Sequence, residues 1–202
     1  MLKKMKNKIL LGLAAVAMVA ILASCGKAPQ AEIDATNAAI AAAQAAEANV
    51  YLPADFAALQ DSMSAINAAV EAQNGKLIKK FGPVKEQLAR TLAAANQVTA
   101  NAAVKKDEVK KEAETLLNDI KAVVAENAKL LPKLPKGKEG AAVIEQIKAD
   151  LGTVDASVAE AQASFDKGTY MDAFNKIKAA KDKADSLNAE IKAALTKAKI
   201  RF

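Results

Sequence analysis

The chain has 202 residues, with 29 basic and 23 acidic side chains, one cysteine and no histidine. Without histidine it lacks the commonest acid–base catalyst and the commonest zinc ligand, and a single thiol excludes an intramolecular disulfide. Serine triads lack their histidine, and acidic residues such as Asp107 and Glu108 lie among lysines in helical sequence, where solvated pairs are the ordinary interpretation. We therefore predict no enzymatic activity, no metal and no other cofactor.

The chain opens with a basic segment followed by an apolar one. Four lysines and no acid lie in residues 1–8, and residues 9–24 carry no charge. This layout is typical of a secretory signal, whereas a transmembrane helix needs about 18 or more apolar residues. Loss of residues 1–24 would remove four of the 29 basic residues and leave 25 against 23 acidic ones. That balance, with no tryptophan and two tyrosines, predicts no nucleic-acid partner.

The apolar segment ends in Leu22-Ala23-Ser24-Cys25. This stretch resembles the lipobox of bacterial lipoproteins, and the resemblance covers residues 1–25. It implies cleavage between Ser24 and Cys25 and acylation of Cys25, which would attach the chain to a membrane. An ordinary signal-peptidase site beside a free cysteine is the alternative. Gly26 in place of aspartate implies the outer membrane, facing the periplasm, in a two-membrane host, and the outer face of the plasma membrane in a one-membrane host.

Helical sequence follows a short polar tether at 25–30. We predict an N-terminal helical region over 31–131, whose first helix covers 31–50. Pro53 suits the first turn of a second helix, and Asn74-Gly75 is a good end for it. Apolar residues of this second helix recur at heptad spacing, which predicts one face against a partner helix: Phe56, Leu59, Met63, Ile66 and Val70.

A single long helix is predicted over 84–131, because no proline or glycine interrupts those residues. Its length would be about 70 Å at 1.5 Å per residue. Thr91, Lys105 and Asn127 occupy polar positions in an otherwise apolar register, and we interpret Lys105 as the point where the partner helices change. The apolar positions are Val84, Leu88, Ala95, Val98, Ala102, Val109, Ala113, Leu116, Ile120, Val123 and Leu130.

Two prolines and two glycines predict a loop over 132–140, followed by a C-terminal helical hairpin over 141–202 that turns at Gly168. Lys133, Lys136 and Lys138 lie in this loop and are candidates for contact with anionic envelope material. Lysines that only keep a solvated loop soluble are the alternative. The run Lys105, Lys106, Lys110, Lys111 has the same two interpretations.

The predicted fold is all-α: an elongated antiparallel bundle of coiled-coil-like hairpins that share one long helix. A weak internal repeat aligns 74–84 with 167–177, pairing Gly75 with Gly168, Leu77 with Tyr170 and Phe81 with Phe174. This arrangement loosely resembles tetratricopeptide-like hairpins and an uncharacterised alanine-rich helical domain of bacterial lipoproteins, and the resemblance implies no functional residues.

Lipid attachment, a long helix and missing catalytic residue types favour a non-enzymatic envelope protein with a scaffolding or spacer role. The expected partners are the membrane, through acylated Cys25, and an envelope protein or cell-wall component, and a homo-oligomer is left open. The alternative function is a periplasmic binding module or accessory subunit for an apolar ligand or an envelope machine.

Overall fold

The computed structural model describes residues 27–135 and 138–202. The predicted signal, the cleavage site and Cys25 lie outside these residues. The described parts form helices and no strand, which confirms the all-α prediction. The helices are α1 (Gln30–Ala45), α2 (Ala48–Tyr51), α3 (Pro53–Asn74), α4 (Gly82–Leu130), α5 (Lys138–Asp166) and α6 (Tyr170–Lys197), with a 3₁₀ turn at Leu131–Lys133.

Helix α4 is the long helix that the others share. Its 49 residues extend about 74 Å. The N-terminal half packs against α1 and α3, through residues such as Ile33, Leu59 and Leu88. The C-terminal half packs against α5 and α6, through a separate core that includes Ile120 and Ile177. The prediction of an elongated bundle built on one shared helix is therefore confirmed.

Cross-helix pairs show how the helices run. Glu32 and Glu47 of the α1–α2 segment pair with Lys85 and Lys106 of α4, so α1 is parallel to α4. Lys110 of α4 lies over the ring of Tyr170, at the start of α6. Further along, Glu126 of α4 pairs with Lys192. Helix α6 is thus also parallel to α4 and continues the row that α1 begins. Helices α3 and α5 return in the opposite direction.

The predicted first helix, 31–50, is wrong in one respect, because the chain breaks at Glu47. This residue has a left-handed backbone, with φ of 61°, and separates α1 from α2. Such a conformation is uncommon for a residue with a side chain and is disfavoured sterically. No glycine or proline marks the break, so the sequence carries no local signal for it. The break turns Tyr51 towards the middle of α4, where its side chain is buried.

The connection between α4 and α5 is shorter than the predicted loop 132–140. Helix α5 begins at Lys138, so residues 138–140 are helical. Leu130 and Leu134 belong to the same core cluster and hold the connection against the bundle. Gly140 lies close to the chain that precedes α5, since a Cβ there would clash with the carbonyl oxygen of Pro135.

The apolar register of α4 departs from a strict heptad in its C-terminal half. Leu117 is buried, whereas the predicted Leu116 is only partly buried. A straight α-helix drifts relative to a seven-residue repeat, which displaces the buried face over several turns. Thr91 and Asn127 are buried in the seam as predicted. Around Lys105 the core changes from the cluster containing Ala102 to the one containing Ala113, in agreement with the predicted change of partners.

The two segments of the proposed internal repeat have different structures. Residues 75–81 form an open loop, and the Leu77 side chain is fully exposed. Gly168 instead forms a tight turn, and α6 begins two residues later at Tyr170. The pairing of Leu77 with Tyr170 is therefore wrong at the structural level. The sequence likeness reflects similar composition beside two helix ends.

Gly168 provides a test of this turn. Its φ of 82° suits glycine, and the Thr169 amide donates to the Ser164 carbonyl at 3.0 Å across the helix end. Gly168→Ala should lower the free energy of unfolding by about 1–2 kcal/mol. The same change at Gly152, within α5 with nothing within 4 Å of a new methyl group, should raise it by about 0.5–1 kcal/mol. Urea unfolding followed by circular dichroism measures both, and effects of equal sign would contradict the assignment.

Candidate functional site

The predicted site residues lie in different parts of the chain. Ser24 and Cys25 are outside the described residues, and so is Lys136. Lys133 is exposed in the 3₁₀ turn, and Lys138 is the first residue of α5. Lys133 and the start of α5 lie at the end of the bundle opposite the start of α1. Residues 28 and 33 pack with the first residues of α4, whereas Leu131 and Leu134 pack beyond its last turns.

Two bundle halves meet at a polar and aromatic cluster that we call the junction: Glu47, Tyr51, Lys106, Lys110 and Tyr170. Lys106 connects the α1–α2 break to α4, since its Nζ lies 2.8 Å from Oε2 of Glu47. The same ammonium lies 6.0 Å from the centre of the Tyr51 ring. Its hydrogen bond to Glu47 raises the pKa of Lys106 above its usual value. This lysine therefore carries its charge throughout the neutral pH range.

Tyr51 joins the N-terminal half to the first turn of α6. The Tyr51 hydroxyl lies near the backbone amide of Met171, in that turn, and near Tyr170. Burial, followed by the nearby Glu47 carboxylate, raises the pKa of Tyr51. The phenol is therefore neutral at physiological pH.

Tyr170 occupies the other side of the junction. Lys110 Nζ lies 5.4 Å from the centre of its ring. The Phe165 ring, on the preceding helix, is 5.2 Å away at an interplanar angle of 60°. Tilted aromatic pairs and ammonium–ring contacts are both favourable. The junction thus contains both tyrosines of the chain and connects α2, α4, α5 and α6.

This geometry explains the lysine run of α4. Lys106 forms an ion pair with Glu47, and the Lys110 ammonium lies over the Tyr170 ring. Lys105 pairs with Glu108 on its own helix at 3.1 Å. Three of the four predicted basic residues therefore have intramolecular partners. The sequence could not indicate this, because Glu47 and Tyr170 are distant along the chain.

A shallow groove of about 560 Å³ lies beside the junction, between α4 and α6. Its floor contains Leu116 and Phe174, which are partly buried. Charged side chains of both signs surround that floor: Lys111, Glu112, Lys178, Lys181 and Asp182. Lys181 is already paired with Asp185 at 2.6 Å, and this hydrogen bond raises its pKa. The groove could cover a small apolar group, but it does not enclose one.

Within 27–135 and 138–202, no group of three or more cysteine, aspartate or glutamate side chains is placed to hold a metal ion. None of the helices in the same ranges is long and apolar enough to cross a bilayer. Comparison of the chain with models of protein families, with curated proteins and with solved structures found no match.

Proposed function

We propose that the chain is a lipid-anchored, non-enzymatic protein of the bacterial cell envelope that acts as a spacer or scaffold. The observation that carries this proposal is the uninterrupted helix α4, which has packed partners along both halves. A helix of this length would bend or fray alone, whereas two partner sets and the junction between them stiffen it. Such a shape suits the task of holding two surfaces apart.

The two ends of the rod differ in the contacts that we propose for them. One residue, Gly26, separates the candidate acylation site Cys25 from the described chain, and α1 begins at Gln30. An anchor on Cys25 therefore attaches to the end where α1 and α4 begin. Lys133 and the start of α5 are at the opposite end, about 70 Å away along α4. We propose that this distal end meets an anionic envelope component or an envelope protein.

Replacing Cys25 tests the anchor. Mass spectrometry of the wild-type chain from cells should find an N-terminal peptide that begins at Cys25 and carries a diacylglyceryl group. Cys25→Ser should abolish both the lipid mass and cleavage before residue 25, because the thiol is the acceptor. Ser24→Ala is the matched control, since it keeps a small residue before the cysteine, and its product should be acylated. An unmodified Cys25 in the wild-type chain would refute the anchor.

The same cells test the spacer role at the distal end. A photo-crosslinking residue at position 133 should capture a defined wall or envelope component. The same residue at position 104, where Val104 is exposed halfway along α4, is the control and should capture none. Equal labelling from the two positions would contradict a distal contact. The binding-module alternative stays a prediction, and the open α4–α6 groove is the feature to which it would apply.

A further inference from the structure

The loop that joins α3 to α4 exposes two large apolar side chains. Leu77 and Ile78 have exposed fractions of 106% and 76%, the highest among the exposed large apolar residues of the described chain. A monomer in water gains nothing from holding two neighbouring aliphatic side chains in solvent, and adjacent exposed apolar residues often mark contact surfaces. These two residues are therefore candidates for contact with a partner outside the bundle.

The loop is held in this conformation from both sides. The Lys80 amide donates to Oε1 of Gln73 at 3.1 Å, and the Lys76 amide donates to the Gln73 carbonyl at 3.1 Å. Phe81, directly after the loop, is buried in the same core cluster as Ile33 and Val84. Leu77 and Ile78 are therefore presented by a fixed frame.

Lysines surround the two apolar side chains. Lys76, Lys79 and Lys80 flank them, and the nearest acids along the chain are Glu71 and Glu86. Over the ranges that the structure describes, no carboxylate oxygen lies within 4.0 Å of these three ammonium groups. Aliphatic side chains beside lysines are the combination that favours the interface of an anionic bilayer, with the apolar groups at the acyl boundary and the cations among the headgroups.

The position of the loop agrees with this chemistry. Ala28, three residues after Cys25, packs against the cluster that contains Phe81 and Val84. The loop therefore projects from the same end of the rod as the segment that leads to the candidate anchor. We propose that residues 76–80 form a second membrane contact, in which Leu77 and Ile78 insert at the interface and the three lysines bind anionic phospholipid headgroups.

This inference rests on the proposed function in one respect. A loop of five residues binds a membrane weakly alone, but an anchor at Cys25 keeps it at high local concentration near the bilayer. Two attachments at one end would also fix the direction of the rod, whereas a single lipid attachment permits any tilt. The contact thus gives the spacer a defined orientation relative to the membrane.

A tryptophan reporter tests the contact, because the chain has no tryptophan of its own. The full-length gene carrying Leu77→Trp is expressed, and the protein from the cell membranes is reconstituted in vesicles that contain phosphatidylglycerol. Its emission should lie at shorter wavelength than that of the same protein in vesicles of phosphatidylcholine alone, and brominated lipid should quench it. Val143→Trp, an exposed position near the start of α5 at the opposite end, is the matched control and should show neither effect.

The lysines are tested in the same vesicles. Combining Lys76→Glu, Lys79→Glu and Lys80→Glu with Leu77→Trp should reduce quenching several-fold and remove the blue shift. The Leu77→Trp protein with its lysines unchanged should show a similar reduction in quenching in vesicles of phosphatidylcholine alone. Unshifted Leu77→Trp emission on anionic vesicles would overturn the proposal. A blue shift in phosphatidylcholine vesicles that grows with the amount of protein per vesicle would also overturn it, since it would indicate contact between two copies of the chain.

Failure of the anchor is kept separate from failure of the loop. If mass spectrometry finds no lipid on Cys25, the proposed anchoring fails, and the protein is instead coupled to the same vesicles through the Cys25 thiol and a maleimide headgroup. The only cysteine of the chain makes this attachment specific. A shifted and quenched Leu77→Trp signal in the coupled protein supports the loop contact by itself. An unchanged signal in that protein refutes it.

Discussion

Replacing Asn127 with aspartate is expected to lower the free energy of unfolding by about 3 kcal/mol or more at neutral pH. Asn127 is fully buried between α4 and α6. Its Nδ2 donates to the Ala184 carbonyl at 3.0 Å, and its Oδ1 accepts from Asn188 at 2.7 Å. An ionised aspartate would lose the first bond, place a charge beside a carbonyl oxygen and keep only the Asn188 donor.

The pH dependence of this variant gives a second readout. Burial raises the pKa of the introduced carboxyl in the folded state above its value in the unfolded chain. The penalty is therefore present above the folded pKa and disappears as the pH falls below the unfolded one. Wild type is measured at each pH for reference, because Lys192 lowers the pKa of the neighbouring Glu126, which loses its own contribution on acidification.

Asn96→Asp is the matched control for this measurement. Asn96 lies on the exposed face of the same helix. The same chemical change there should alter the unfolding free energy by less than about 0.5 kcal/mol. An equal effect at the two positions, or a penalty at Asn127 that persists at low pH, would show that the buried charge is not the cause.

Ile177→Ala is expected to lower the free energy of unfolding by about 2–5 kcal/mol. Ile177 is completely buried in the C-terminal core, among Ile120, Ala173 and Ala180. Truncation removes apolar contacts and leaves a cavity. The neighbouring helices fill it only in part, because the side chains of their alanines are too short to reach into it. Urea unfolding followed by circular dichroism measures the loss.

Ile78→Ala makes the same change at an exposed position in the α3–α4 loop. In the absence of membranes its effect on unfolding should be below about 0.5 kcal/mol.

The Ile177 variant also tests how the two halves of the bundle are coupled. A single transition would mean that the junction makes both bundles unfold together, whereas two transitions would mean that the N-terminal bundle survives alone. A small effect at Ile177 would contradict the assignment of the core.

Much of this fold is predictable because its signals are local. Prolines, glycines and apolar spacing place α3, α4 and the Gly168 turn, and composition alone indicates an all-α chain. Thr91 and Asn127 could be assigned to the buried seam because they fall in register with apolar neighbours. These features depend on residues within a few turns of one another.

Other features were missed because they depend on distant residues. The break at Glu47 has no glycine or proline to signal it, and the partner of Glu47 is 59 positions away at Lys106. The junction can be predicted only when it is known that α1 and α6 lie end to end along α4. The sequence pattern assigns the α3–α4 loop to a repeat, because residue type alone does not show that the Leu77 side chain is exposed. The candidate lipid site rests on the sequence motif alone.

The junction also determines what ultraviolet light can report about this protein. The chain has no tryptophan, and its only two tyrosines, Tyr51 and Tyr170, lie at the boundary between the bundles. Tyrosine emission and the tyrosine bands of near-ultraviolet circular dichroism therefore originate at one place in the unmodified molecule. A change in those signals while the far-ultraviolet spectrum stays constant would report a rearrangement at the junction with the helices intact. The two tyrosines of the native chain are thus spectroscopic reporters of the region where its two bundles meet.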